Sequence, residues 1–181
     1  IFLADYSKWY KYYEVNGVRE FQKDRGETFA GPSAGSFVLA VQDAVIAAEN
    51  AVIAAESLGI GSCYIGDIME QKEYHKTLFN LPEYVFPVAM LTLGYYPEDY
   101  MVPLKERFAE KYVVFEERYN ELSKEDIDDM FRKRDQLFTA KNKYNAKNYA
   151  QMHYNFKVKA PFSKEMQRSV EEALKEWDKK E

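Results

Sequence analysis

The alternation of apolar and polar positions is densest between Ala44 and Asp67, AVIAAENAVIAAESLGIGSCYIGD. The run Ala44-Val45-Ile46-Ala47-Ala48-Glu49 returns seven residues later as Ala51-Val52-Ile53-Ala54-Ala55-Glu56. Seven residues make close to two helical turns, so the two copies lie nearly above one another on a helix. Val45, Ile46, Val52 and Ile53 form a wide apolar stripe, and the small side chain of alanine lets neighbouring backbones approach. A helix apolar on most of its circumference is expected to be buried on most sides, as a central helix or one shared across a subunit interface. Glu49, Asn50 and Glu56 interrupt the run, which argues against a membrane span. The predicted helix begins near Phe37 with Ser36 as its cap and stops near Ser57-Leu58-Gly59, where Gly59 suits a left-handed C-cap. Cys63-Tyr64-Ile65 reads as a short extended piece. Gly66 after it permits close approach of a backbone or a ligand.

The other elements follow from the same reading. Ile1 to Asp5 is an apolar run read as a buried strand, and Tyr6 to Glu14 as an aromatic helical turn. Glu20 to Ala34 is polar and rich in Gly, Ser and Pro, so a mobile surface loop is expected. Met69 to Leu78 has helical character. Tyr84 to Leu93, YVFPVAMLTL, reads as a buried strand with Pro87 near its entry. Ser123 to Asp126 has the form of a capping box, followed by a helical stripe of Ile127, Met130, Phe131, Arg134, Leu137 and Phe138. Lys141 to Asn155 reads as a polar, solvated loop. A last helix from Pro161 carries Met166, Val170, Leu174 and Trp177 on one face and is expected to pack as an arm on another surface, such as a partner subunit.

Composition narrows the chemistry. The 181 residues are enough for one domain with a core, and 16% aromatic residues disfavour disorder. A net charge of -5 argues against general binding of nucleic-acid phosphates. The single cysteine precludes an intrachain disulfide and fits a reducing, cytoplasmic setting. His75 and His153 have no metal-type spacing, and Cys63 sits in an apolar context, as a small core residue rather than a nucleophile. No Ser-His-Asp arrangement, P-loop or GxGxxG occurs, which excludes the dinucleotide fold built on that glycine motif. Neither a catalytic acid nor a nucleophile nor a metal ligand stands out, so enzymatic chemistry would rest on a cofactor. Lys105 and Arg107, with Glu106 between them, alternate in an extended stretch within Met101 to Phe115. On charge pattern alone a solvated loop is favoured over a phosphate site.

AAESLGIGSCYIGDI, followed by LFNLPEYVFPVAMLTLGYYPE, resembles the C-terminal half of the FMN-dependent nitroreductase and flavin reductase family. The similarity runs from about Ala44 to Glu98, and IFLADY resembles the strand the family places before this helix. The sequence after Pro97 is most similar to the NADPH-using branch with a long C-terminal extension. The resemblance implies an α+β fold, with a central antiparallel or mixed sheet flanked by helices around a buried Ala-rich helix. It implies residues 1–100 as the C-terminal part of an FMN-binding core and 101–181 as an extension with two amphipathic helices. It further implies a homodimeric FMN oxidoreductase that moves hydride from NAD(P)H to a small-molecule acceptor, with no nucleic-acid or membrane partner. The acceptor would be a nitro compound, a quinone or free flavin, reached by a ping-pong cycle. The cofactor contacts it implies are Tyr64, Ile65, Gly66 and Asp67, with Asp67 where the family carries a small residue or a second Gly. A Lys-Pro-Arg tripeptide of the family points to Lys105 and Arg107, with Glu106 in place of the proline. The basic residues Lys141, Lys143 and Lys147 fall where that branch holds NADPH. The chain opens at Ile1, inside a strand, without the family's upstream Arg-Ser-x-Arg type motif. A fragment, or a scaffold of the same fold that binds without turnover, is therefore the alternative expectation.

Overall fold

Ser33 opens the long helix α3 (Ala34–Ser57) through a reciprocal pair of contacts. Its Oγ accepts from the Ser36 backbone N–H at 3.3 Å, and the Ser33 N–H donates back to the Ser36 Oγ at 3.4 Å. The cap is therefore Ser33, with Ser36 as its third-residue partner, and the helix starts three residues before the predicted point. A cap must lie outside the helical φ/ψ region, and Ser33 is extended with φ -123° and ψ 172°. At the other end Gly59 takes φ +71°, Gly59 N–H donates to Glu56 O, and Ile60 N–H donates to Ala55 O at 2.9 Å. These two bonds satisfy carbonyls that the helix itself leaves free, which makes the glycine exit expected from the sequence.

The structure, a computed structural model, describes residues 1–101 and 103–178. Val102, within the Met101–Phe115 stretch, and the last three residues of the expected extension lie outside the described residues. The chain divides into two compact units, Ile1–Glu98 with Lys164–Glu181 and Asp99–Ser163. The last helix thus groups with the first unit, not with the preceding segment.

In the first unit, β1 (Phe2–Asp5), β2 (Gly61–Ile65) and β3 (Val85–Gly94) form an antiparallel sheet in the order β1-β3-β2. Helices flank it, which gives the α+β class expected from the sequence. β3 is paired by halves: Val85 to Ala89 faces β1, and Met90 to Gly94 faces β2. Pro87 is the third residue of β3, near its entry as expected from the sequence. It lies in the half that β2 does not reach, and β1 shifts register between Phe2 and Leu3, opposite it. A strand residue without an N–H is tolerated at such an edge or bulge.

α1 (Ser7–Val15) follows β1, and Gly17 at φ +66° lets the chain turn into α2 (Val18–Asp24). The loop expected from Glu20 therefore starts in a helix. Its cations lie on aromatic rings, Arg25 over Phe21 at 5.4 Å and Arg19 over Phe29 at 4.7 Å, which composition alone does not reveal. α4 (Lys72–Leu78) follows a 3-10 turn at Gly66–Met69.

The core joins Ala4, Phe37, Ala44, Tyr84, Phe86, Val88, Ala173 and Trp177. α3 faces β1 and β3 with Phe37, Ala44, Ala48 and Ala55, and only this stripe is buried. Val38, Leu39, Val45, Ile46 and Ile53 on the other faces are exposed in the single chain. The expected burial on most sides is thus met along one stripe, because the sheet covers one side of the helix. α3 is long and apolar enough to cross a membrane by length and composition, but its alanine stripe packs on the sheet.

α7 (Pro161–Trp177), expected to pack as an arm on another surface such as a partner subunit, packs on the core of its own unit. Trp177 is 1% exposed, with its ring 5.1 Å from Phe37, 6.0 Å from Tyr6 and 6.3 Å from Tyr84. Buried Ser169 donates its hydroxyl to Met69 O at 2.6 Å and accepts from Lys72 N–H at 3.1 Å. The stripe that read as a docking face is the face of a core helix of this same unit.

In the second unit, α5 (Lys124–Asp135) starts with the capping box read from the sequence, Ser123 with Asp126. Lys141 to Asn155, read as a loop, holds α6 (Tyr149–His153), which runs into a π-turn at Tyr154–Val158. Asn148 caps α6 by accepting from Gln151 N–H at 2.9 Å. Val113-Val114-Phe115 forms no strand.

Candidate functional site

The glycine exit of α3 delivers the chain directly into β2, and β2 leads into the 3-10 turn. Tyr64, Ile65, Gly66 and Asp67 are therefore consecutive at the end of a strand whose register is fixed by Tyr64 opposite Leu91 and Ile65 opposite Met90. Ile68, 5% exposed, anchors the turn, while Gly66 and Asp67 are exposed. Apart from its chain neighbours and the backbone of its own turn, no protein atom lies within 4 Å of where a Gly66 Cβ would sit. The crowded glycine is Gly61 instead, where an added Cβ would meet the Tyr96 ring at 2.5 Å.

The Tyr64 hydroxyl donates to Glu49 Oε2 at 3.2 Å. Desolvation and then the Glu49 carboxylate raise the Tyr64 phenol above its ordinary value. Glu49, one of the residues that interrupt the apolar run of α3, is thus placed to hold the strand leaving that helix. What remains presented at this strand end is backbone and the Asp67 carboxylate. Burial raises Glu70, and the neighbouring charges of Asp67 and Glu165 add to it, so the turn carries a negative field. The Cys63 thiol is exposed and 3.6 Å from Tyr64 O, so the cysteine is a surface residue of β2 rather than a core residue.

Lys105 and Arg107 lie together in the second unit, lining a cavity of about 750 Å³ with Glu106, Phe108, Arg132, Lys133, Arg134 and Tyr149 among others. Five cationic residues line it against two acidic ones, Glu106 and Asp129, so it favours an anion. Glu106 pairs with Lys133 of α5, and Asp129 takes Arg132, Lys111 at 3.3 Å and the Tyr112 hydroxyl. The Tyr112 hydroxyl and then Lys111 hold the Asp129 carboxyl below its usual range. Lys105 and Arg107 enter no ion pair among the described residues. The α5 cations were missed as cavity residues from sequence. The signal was present, in the run Arg132-Lys133-Arg134 at the end of a capped helix. Among the described residues no group of three or more His, Cys, Asp or Glu is placed to hold a metal.

A helix-flanked antiparallel sheet, entered by an Ala-rich helix and a glycine exit, defines a nitroreductase-like α+β protein. Residues 7–95 match the model of the Nitroreductase family. A curated relative, the Cr(VI) reductase of Pseudomonas sp. (strain G-1), is 38% identical over 72 residues. That match takes in 40% of this chain and spans only 30% of the relative's own length. The structure of B. megaterium NfrA2 is similar with a TM-score of 0.71 and 27% identity, covering 99% of this chain and 68% of that one. The NADPH:FMN oxidoreductase of Vibrio harveyi complexed with NAD+ is similar in fold, with a TM-score of 0.59 and 24% identity. There the match covers 81% of this chain and 59% of the other.

Proposed function

We propose that the full-length protein is an FMN-dependent oxidoreductase that takes hydride from NAD(P)H and delivers it to a nitro compound, a quinone or free flavin in a ping-pong cycle. The observation that carries this reading is the family match over residues 7–95, which contains the Tyr64–Asp67 strand end. The named activities of the relatives, Cr(VI) reductase and NADPH:FMN oxidoreductase, agree with it. The residues of this chain fit the cofactor on two grounds. In the first unit the open strand end at Gly66 leaves room for a flat ring, and the second unit, taken by itself, has an anion-favouring cavity whose Lys105 and Arg107 suit a phosphate.

When bound, FMN supplies the two-electron chemistry that the side chains of this chain lack. The backbone from Tyr64 to Asp67 would position it, because the first residues of a helical turn leave N–H groups without an intrahelical acceptor. Glu49 holds Tyr64 and with it the strand end. Asp67 places a carboxylate in the same turn and so disfavours additional negative charge near it. A homodimer is supported by the exposed Val38, Leu39, Val45, Ile46 and Ile53 of α3, an apolar face that a second copy would cover. A cytoplasmic location fits the lone cysteine. The test is a visible absorption spectrum of the full-length protein with FMN, before and after NADPH. A bound-flavin spectrum that bleaches on NADPH addition and recovers with a quinone supports the reading; no flavin binding overturns it.

A further inference from the structure

We infer that Glu106 and Lys133 form a positioning pair for the two cations that flank Glu106. The segment from Glu106 to Tyr112 is fastened to α5 at three successive points. Glu106 pairs with Lys133. Phe108 stacks edge-on against Phe131, centroids 5.2 Å apart, and under the Arg134 guanidinium at 4.7 Å. The buried Tyr112 donates its hydroxyl to Asp129. Asp129 and Lys133 are four residues apart and therefore neighbours on one face of α5. The first fastening point of the segment falls between Lys105 and Arg107. Glu106 spends its carboxylate on Lys133 and leaves its two neighbours without an ion pair among the described residues. A chain pinned at the middle of a Lys-Glu-Arg run holds both cations at one place in the cavity, which lowers the entropy lost when an anion orders them.

This inference rests on the reading of Lys105 and Arg107 as phosphate contacts of FMN, and it makes a prediction of unusual sign. Glu106 is an acid beside an anion site, so as a mere surface charge its removal would tighten phosphate binding. As a positioning residue its removal loosens it. The decisive measurement is the FMN dissociation constant of the full-length protein, by flavin fluorescence quenching, for wild type, Glu106→Gln and the charge swap Glu106→Lys/Lys133→Glu. Thermal denaturation of each variant reports whether the fold is kept. Glu106→Gln is expected to weaken FMN binding about two- to fivefold, the scale of an exposed ion pair, and the swap to restore it. Equal or tighter binding by Glu106→Gln, or a swap no better than the single change, overturns the inference. Failure of the wild type to bind FMN overturns the phosphate reading itself, and the two failures are told apart in one experiment.

Discussion

At the scale of single residues, two side chains separate structure from chemistry. Ser33 and Ser36 look alike in sequence and each accepts the other's backbone N–H, yet only Ser33 has the extended backbone of a cap. Ser33→Ala is expected to cost about 1 kcal/mol in chemical denaturation and Ser36→Ala less, because Ser36 returns only one long bond. Equal losses would contradict the assignment of the cap. Asp67 is the residue whose charge bears on the flavin reading. If the ring lies at this strand end, Asp67→Asn removes a negative charge near it and raises the flavin reduction potential. A dye-coupled potentiometric titration of the FMN-loaded protein reads this, and an unchanged potential places the ring elsewhere. The crowded approach of Tyr96 to Gly61 left no trace in the sequence pattern, because it pairs a glycine with a ring 35 residues downstream (from 61 to 96).

At the scale of elements, the seam between α4 and α7 is built from carboxylates held in their charged form. Arg168 of α7 donates to Glu73 of α4 at 2.8 and 3.0 Å and to Glu165 at 2.7 Å. The Arg168 contact lowers the Glu73 carboxyl to about 2. Glu176 is opposed by burial, yet Lys72 and Lys76 bring it below its ordinary value. All these acids have folded-state pKa values below their unfolded ones, so their contribution is complete above the ordinary carboxylate range. It is lost as pH falls from about 4.5 toward about 2, where Glu73 takes up its proton. In a Trp9→Phe background, Trp177 emission is expected to shift to the red across that window, and a pH-independent spectrum would contradict it. Trp177→Ala is expected to cost about 3 to 5 kcal/mol in denaturant unfolding, the range for deleting a buried indole. A loss below about 1 kcal/mol would contradict the place of Trp177 in the core.

The same elements show what the sequence could convey. β1, β2, β3 and the start of α5 were readable because local signals decide them: an apolar run, a glycine exit, a serine–aspartate box. α7 was placed as a helix with the right stripe but given the wrong neighbour. Periodicity identifies an apolar face and says nothing of which surface covers it. α2 and α6 were read as loop because polar composition hid them. Each is short and rests on contacts made by particular side chains, Arg19 and Arg25 on rings in one case and the Asn148 cap in the other. At the candidate site, Tyr64 to Asp67 come from the family resemblance, and the structure places them consecutively at the end of β2. The α5 cations were not legible, since their approach to Lys105 and Arg107 depends on a tertiary fastening between distant segments.

At the scale of the whole molecule, the first unit contains the segment that matches the Nitroreductase family model, residues 7–95, and the second unit contains an anion-favouring cavity. The apolar face of α3 is exposed in the single chain, and the proposed second copy would cover it. Ile46→Glu with Ile53→Glu is expected to convert a dimer to a monomer in sedimentation without unfolding it, since both side chains are exposed in the single chain. The most direct test of the central claim is the visible spectrum of the full-length protein incubated with FMN and then NADPH. The account predicts a protein-bound flavin band that disappears on NADPH addition and returns with excess quinone. A protein that retains no flavin, or one whose bound flavin NADPH does not reduce, would contradict it.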